Sequence, residues 1–138
     1  VVTDELQAAA LDVKLPRLDA DNARRREIAR RYMTGVDNPL IVEPVMPTHE
    51  EEHVFYVFPI RTKYRDQLIS WLRTQGIETL IHYPIPPHKQ LALADMNTIK
   101  LPITEQIHKE ILSLPISPMM SDAEVDYVIS AINQFNIN

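Results

Sequence analysis

Apolar residues recur at three- and four-residue spacing from Asp4 to about Met33, and that period predicts a long N-terminal helix. Leu6, Ala9, Ala10 and Val13 form one stripe while Leu11, Leu15 and Leu18 form another, so the first half is apolar nearly all round and needs cover on two sides. Pro16 falls inside the pattern and predicts an end or kink near Leu15. Beyond it, Asp19, Asn22, Arg24, Arg25, Arg26 and Glu27 leave a narrow stripe of Ile28, Ala29 and Tyr32. Val1 and Val2 make no convincing start for a domain, and with the two-faced helix this points to a C-terminal piece of a longer protein.

Residues 34–52 carry Gly35, Asp37, Asn38, Pro39, Pro44, Pro47 and Glu50-Glu51-Glu52, a stiff surface crossing. The β-branched and aromatic run His53 to Phe58 predicts a central strand. Tyr64, Leu68, Trp71 and Leu72 then repeat at helical spacing up to Gln75, and Gly76 stands where a C-terminal glycine cap belongs. Ile77 to Ile81 reads as a second strand. Three prolines make His82-Tyr83-Pro84-Ile85-Pro86-Pro87-His88 a rigid extended loop. Ile107 and Ile111 mark a helix from Thr104 to about Leu112, and Leu114 to Pro118 reads as a short edge strand or extended linker. Ser121-Asp122-Ala123-Glu124 is a capping box opening a last helix with Val125, Val128, Ile129, Ile132 and Phe135 inward. The element order predicts an α+β layer (an α/β layer of one sheet): a small, mostly antiparallel sheet with helices on one face.

Two glycines among 138 residues, against eleven prolines, change the picture of function. Phosphate-cradling turns need glycines for positive φ and close approach, and none can be written here. A net charge of −5 opposes nonspecific attraction to nucleic acid or an anionic membrane, so neither partner is expected. The absence of cysteine removes disulfides, thiolate metal sites and thiol nucleophiles, and is compatible with a reducing cytoplasm. The longest apolar run, Val54 to Ile60, is far short of the roughly 20 residues a membrane-spanning helix needs.

The loop from His82 to His88 holds the chemistry most worth attention. Two imidazoles and a phenol on a proline-stiffened loop lose little conformational entropy on binding a ligand; the competing reading is that Tyr83 and His88 pack or cap at the surface. As a metal site the loop lacks a nearby carboxylate and a second motif, so no metal is expected. The arginines Arg24, Arg25, Arg26, Arg30 and Arg31 read as a solvated face, tied by pairs such as Glu27 with Arg30 or Arg31. Glu50-Glu51-Glu52 reads as a solvated loop before a cation site. Phe55, Tyr56, Phe58 and Trp71 read as core. The serines Ser70, Ser113, Ser117, Ser121 and Ser130 lie in no nucleophile-elbow setting.

Several phrases then stand together in order and spacing: Asp4-Glu5-Leu6-Gln7-Ala8-Ala9, Val13-Lys14-Leu15, Leu18-Asp19, Asn22, Arg24-Arg25 and Ile28-Ala29; Gly76-Ile77 and Leu80-Ile81-His82-Tyr83-Pro84; Pro87-His88; Leu101-Pro102-Ile103-Thr104-Glu105; Leu112-Ser113-Leu114-Pro115; and Asp122-Ala123-Glu124-Val125-Asp126-Tyr127-Val128. Together they resemble the pyridoxal-phosphate-dependent nucleotide-sugar aminotransferases of the DegT/DnrJ/EryC1/StrS family. The resemblance implies a fold type I enzyme whose C-terminal small domain is this chain, with residues 1–33 as interdomain helix and 34–138 as sheet and helices. It implies a preceding large domain that supplies the Schiff-base lysine and most cofactor contacts. None of Lys14, Lys63, Lys89, Lys100 and Lys109 stands in the family's lysine context, so no catalytic or cofactor-binding residue is expected in this chain, and the chain alone is expected to be inactive. By resemblance, His82, Tyr83 and His88 border the active-site cleft as substrate-binding residues. The implied partners are a nucleotide-linked keto sugar and an amino-acid donor, L-glutamate, in a cytoplasmic homodimer serving polysaccharide or lipopolysaccharide sugar biosynthesis. The alternative is a non-catalytic binding or regulatory module that keeps the fold.

Overall fold

A computed structural model describes residues 4–49 and 52–137. Val1, Val2, Glu50 and Glu51 lie outside the described residues, so the expectations placed on them have no structural counterpart. The N-terminal helix forms as α1 (Glu5–Lys14), a 3₁₀ turn at Leu15–Arg17 and α2 (Leu18–Gly35). Asp4 caps α1 by accepting from the Gln7 N–H at 2.8 Å. Pro16, with no N–H to give, sits inside the 3₁₀ turn, where the sequence places the kink.

Four short extended pieces make the sheet. β1 (Phe58–Arg61) pairs antiparallel with β2 (Ile111–Leu114), Phe58 opposite Leu114 and Arg61 opposite Ile111. Single antiparallel bridges extend it on both sides, Val42 with Arg61 and Leu80 with Ser113. Strand alternation turns Phe58, Ile60, Leu112 and Leu114 to the core, and Pro59 and Ser113 to the opposite face. Pro59 is tolerated because Ser113 opposite it gives its N–H to Leu80 instead, at 2.7 Å. The proline nitrogen therefore points to the outer side, where a donor has little to meet.

The strand expected at His53 to Phe58 is displaced to Phe58–Arg61. Phe55 has φ 48°, which breaks an extended run, and its N–H is taken by His53 Nδ1 at 2.8 Å instead of a neighbouring strand. The expected strand Ile77 to Ile81 shrinks to the Leu80 bridge. Of the two readings of Leu114 to Pro118, the linker holds and the edge strand does not: β2 ends at Leu114, inside the sheet, and the prolines lead away from it.

The remaining helices are α3 (Arg65–Thr74), α4 (Pro102–Glu110) and α5 (Asp122–Gln134). Gly76 ends α3 at φ 72°, with Gly76 N–H bonding Arg73 O and Ile77 N–H bonding Leu72 O, the paired bonds of a left-handed cap. Pro102 opens α4, and the capping box at Ser121 opens α5 as its sequence predicts. Ile28, Ala29 and Tyr32 of α2, Leu68 and Leu72 of α3, and Val125, Val128 and Ile132 of α5 close over the sheet's core face. Burying each large side chain contributes about 1.5–3 kcal/mol. Polar bonds fix the angles: the Tyr32 hydroxyl donates to Pro115 O at 2.7 Å, and Trp71 Nε1–H to Ala131 O at 2.8 Å. Asn38 donates to the carbonyls of Ile132 and Phe135, closing the end of α5. The expected pairing within α2 forms in part, with Glu27 held by Arg24 three residues before it. Arg24 reaches both Glu27 and Asp122, and Arg31 reaches Asp122 and Asp126, so the pairs clip α2 to α5.

Candidate functional site

The Leu80 bridge decides where the loop begins. By pairing with Ser113 through two backbone bonds of 2.7 and 3.3 Å, it delivers His82 and Tyr83 to the edge of the sheet beside β2. There a cavity of about 260 Å³ opens between Tyr56, Glu78, Leu80, His82, Ser113 and Ile116. His82 Nδ1 lies 2.9 Å from Ser113 Oγ. The peptide between His82 and Tyr83 is cis, and the two rings meet edge to face at 5.7 Å. Tyr83 is 67% exposed, and among the described residues its hydroxyl has no hydrogen-bond partner. Its carbonyl accepts from His108 Nδ1–H at 2.6 Å. The pair thus combines a held imidazole with a free phenol, a set suited to hydroxyl and phosphate oxygens.

His88 stands apart from that pair. It is 3% exposed, in a 3₁₀ turn at Pro87–Lys89, with Nε2 3.0 Å from Glu105 Oε1. This bond, followed by the N–H of Leu101, holds the Glu105 carboxyl below its ordinary pKa. Lys89 adds a second clip by donating to the carbonyls of Asn97 and Ile99 at 2.7 and 3.2 Å. The structure therefore brings together two of the three site residues read from the sequence, while the third ties down the loop that follows them.

Three residues at or behind the site escape a sequence reading. Tyr56, grouped there with the core, is 78% exposed at the cavity mouth, because the turn at Phe55 buries that ring and throws the next one outward. Ser113 leaves one trace in the sequence, a lone polar residue inside Ile111-Leu112-Ser113-Leu114. His108 leaves none, since only the fold brings α4 to Tyr83. Among the described residues no group of three or more His, Asp or Glu could hold a metal ion, and no helix is long and apolar enough to cross a membrane. Glu52, the described member of the acidic run, accepts from the His49 N–H.

Fold and site define a small α+β unit that presents a histidine–tyrosine pair beside an open cavity. Residues 3–133 match the DegT/DnrJ/EryC1/StrS aminotransferase family, and the chain belongs to it. It is 51% identical over 132 residues to the dTDP-3-amino-3,6-dideoxy-alpha-D-galactopyranose transaminase of Aneurinibacillus thermoaerophilus, covering 96% of this chain and 36% of that protein. It is also similar to S. venezuelae DesV in complex with a ketimine intermediate, with TM-score 0.88 and 38% identity over 96% of this chain and 36% of that one. NtdA from Bacillus subtilis with bound cofactor PMP matches with TM-score 0.71 and 28% identity, over 82% of this chain and 28% of that one. The chain thus spans about a third of the length of the relatives it matches. These relatives do not favour a non-catalytic module.

Proposed function

We propose that this chain is the C-terminal small domain of a pyridoxal-phosphate-dependent transaminase that moves an amino group from an amino acid, L-glutamate, to a keto group on a nucleotide-linked deoxysugar. The reading is carried by one observation: a 51% identical relative is a dTDP-sugar transaminase, and the match runs through the His82–Tyr83 loop. The complete protein is read as a cytoplasmic homodimer in polysaccharide or lipopolysaccharide sugar biosynthesis, with residues 1–33 joining its two domains. The exposed Leu6, Leu11, Val13 and Leu15 of the joining helix support a covering domain.

We read the cofactor's contacts as belonging to the preceding domain, a reading that two features of this chain support. Lys89 has committed its ammonium to two carbonyls and lies 4.0 Å from Glu105. Gly76 closes a helix, and Gly35 faces Ile129, so neither glycine opens onto an anion cradle. The role of this chain is then to bind and orient the sugar. The His82 imidazole and Tyr83 phenol meet its oxygens, and His88, through Glu105, keeps the loop behind them in place.

Full-length protein carrying His82→Ala or Tyr83→Phe tests this. kcat/KM for the nucleotide sugar should fall about tenfold or more, as loss of a charge-neutral ligand bond or two entails, with the cofactor's absorbance intact. His88→Ala should act through the loop and lower both thermal stability and sugar use. Unchanged kinetics in the first two variants would overturn the site assignment.

A further inference from the structure

Resting on the reading of His82 as sugar-facing, we propose that Ser113 is a positioning residue that holds the His82 imidazole in its Nε2–H form, so that the ring presents a donor to the ligand. Alternation along β2 sends Leu112 and Leu114 into the core and Ser113 to the other side of the sheet. Its backbone pairs with Leu80, two residues before His82, which brings Ser113 Oγ within 2.9 Å of His82 Nδ1.

The direction of that bond follows from the proton inventory. Ser113 is 5% exposed, and among the described residues His82 Nδ1 is the one acceptor its hydroxyl meets. A buried hydroxyl proton left without an acceptor carries the desolvation cost of an unmade bond. The hydroxyl therefore donates, Nδ1 accepts, and the ring proton of the neutral imidazole sits on Nε2. A donor there meets the lone pairs of a sugar hydroxyl, a keto oxygen or a diphosphate oxygen. The opposite tautomer would present a lone pair and repel all but a hydroxyl proton.

The Ser113 hydroxyl acts on the ring, while the Ser113 backbone, through Leu80, holds the chain that carries it. The backbone next to His82 is secured independently, because the Tyr83 carbonyl accepts from His108, whose own carbonyl accepts from Arg65 Nη1 at 2.9 Å. A carbonyl has no proton to give, so that bond fixes His108 as the Nδ1–H form. Removing the serine hydroxyl thus leaves the loop in place and frees the imidazole to change tautomer and rotate.

Long-range ¹H–¹⁵N correlation spectra of ¹⁵N-histidine-labelled full-length protein read the tautomer directly. His82 should show a protonated Nε2 and a bare Nδ1, and Ser113→Ala should give mixed tautomers. In the same variant KM for the nucleotide sugar should rise about tenfold, with the amino donor's KM and the cofactor absorbance unchanged. Ser113→Thr, which keeps a hydroxyl, should restore both readouts. A protonated Nδ1 in the parent protein, or a Ser113→Ala protein with unaltered tautomer, overturns the proposal. The reading it rests on fails separately: if His82→Ala leaves sugar KM unchanged while Ser113→Ala still shifts the tautomer, the loop assignment falls and the serine's hold on the ring stands.

Discussion

α1 and the second half of α2 lie on either side of the 3₁₀ turn at Pro16 and meet opposite surroundings. Every described residue from Asp4 to Ala20 is exposed, including Leu6 at 83% and Val13 at 75%, whereas Ile28, Ala29 and Tyr32 are wholly buried. The more apolar half is the uncovered one. A hydrophobic period specifies a helix and the face it will bury, but the cover comes from residues far away in sequence. For α2 those are Phe58, whose ring lies 5.0 Å from Tyr32, the Pro115 carbonyl, and the carboxylates of Asp122 and Asp126.

The comparison breaks most visibly in the core. Ile28→Ala leaves a cavity in a wholly buried site and should cost about 2–5 kcal/mol in denaturant unfolding; a cost below about 1 kcal/mol would mean that α2 docks loosely. Acid sharpens the same contrast more gently. The hydrogen bond from Arg24, and after it the charges of Arg31 and Arg24, hold the Asp122 carboxyl below its ordinary 3.8. A carboxyl depressed in the folded state contributes stability that is complete above its unfolded pKa and fades as pH falls through the folded one. Thermal midpoints should therefore drop below about pH 4, and Asp122→Asn should flatten that part of the curve. An unchanged slope would remove the α2–α5 clip from the account. The smallest effect belongs to α1: Leu11→Gln should shift the stability of the 138-residue chain by no more than about 0.5 kcal/mol. The same substitution in the full-length protein should cost more, and equal costs in both would deny α1 a covering domain.

What could be read from the sequence divides along the same physical line. Local chemistry was legible: Pro16 marks its 3₁₀ turn, Gly76 its left-handed cap, and Ser121 its capping box. Strands were not, because pairing decides them. His53 to Phe58 has the composition of a strand, yet a positive φ at Phe55 moves the pairing on to Phe58–Arg61. At the site, His82 and Tyr83 announce themselves beside prolines. Ser113, His108 and the burial of His88 arise from contacts between 17 and 31 residues apart, which no local pattern encodes.

The clips around His88 and Lys89 have a consequence for how this domain can diversify. Between them and their partners at Asn97, Ile99 and Glu105 the chain forms a ring closed at its base, with Leu91 to Met96 at its tip. Lengthening a ring that is already closed is cheap, since doubling a loop adds only about 0.6 kcal/mol of closure entropy. New residues at the tip can therefore be sampled while the base, and the His82–Tyr83 pair just before it, keep their positions. The fold separates the part that must stay from the part that is free to vary.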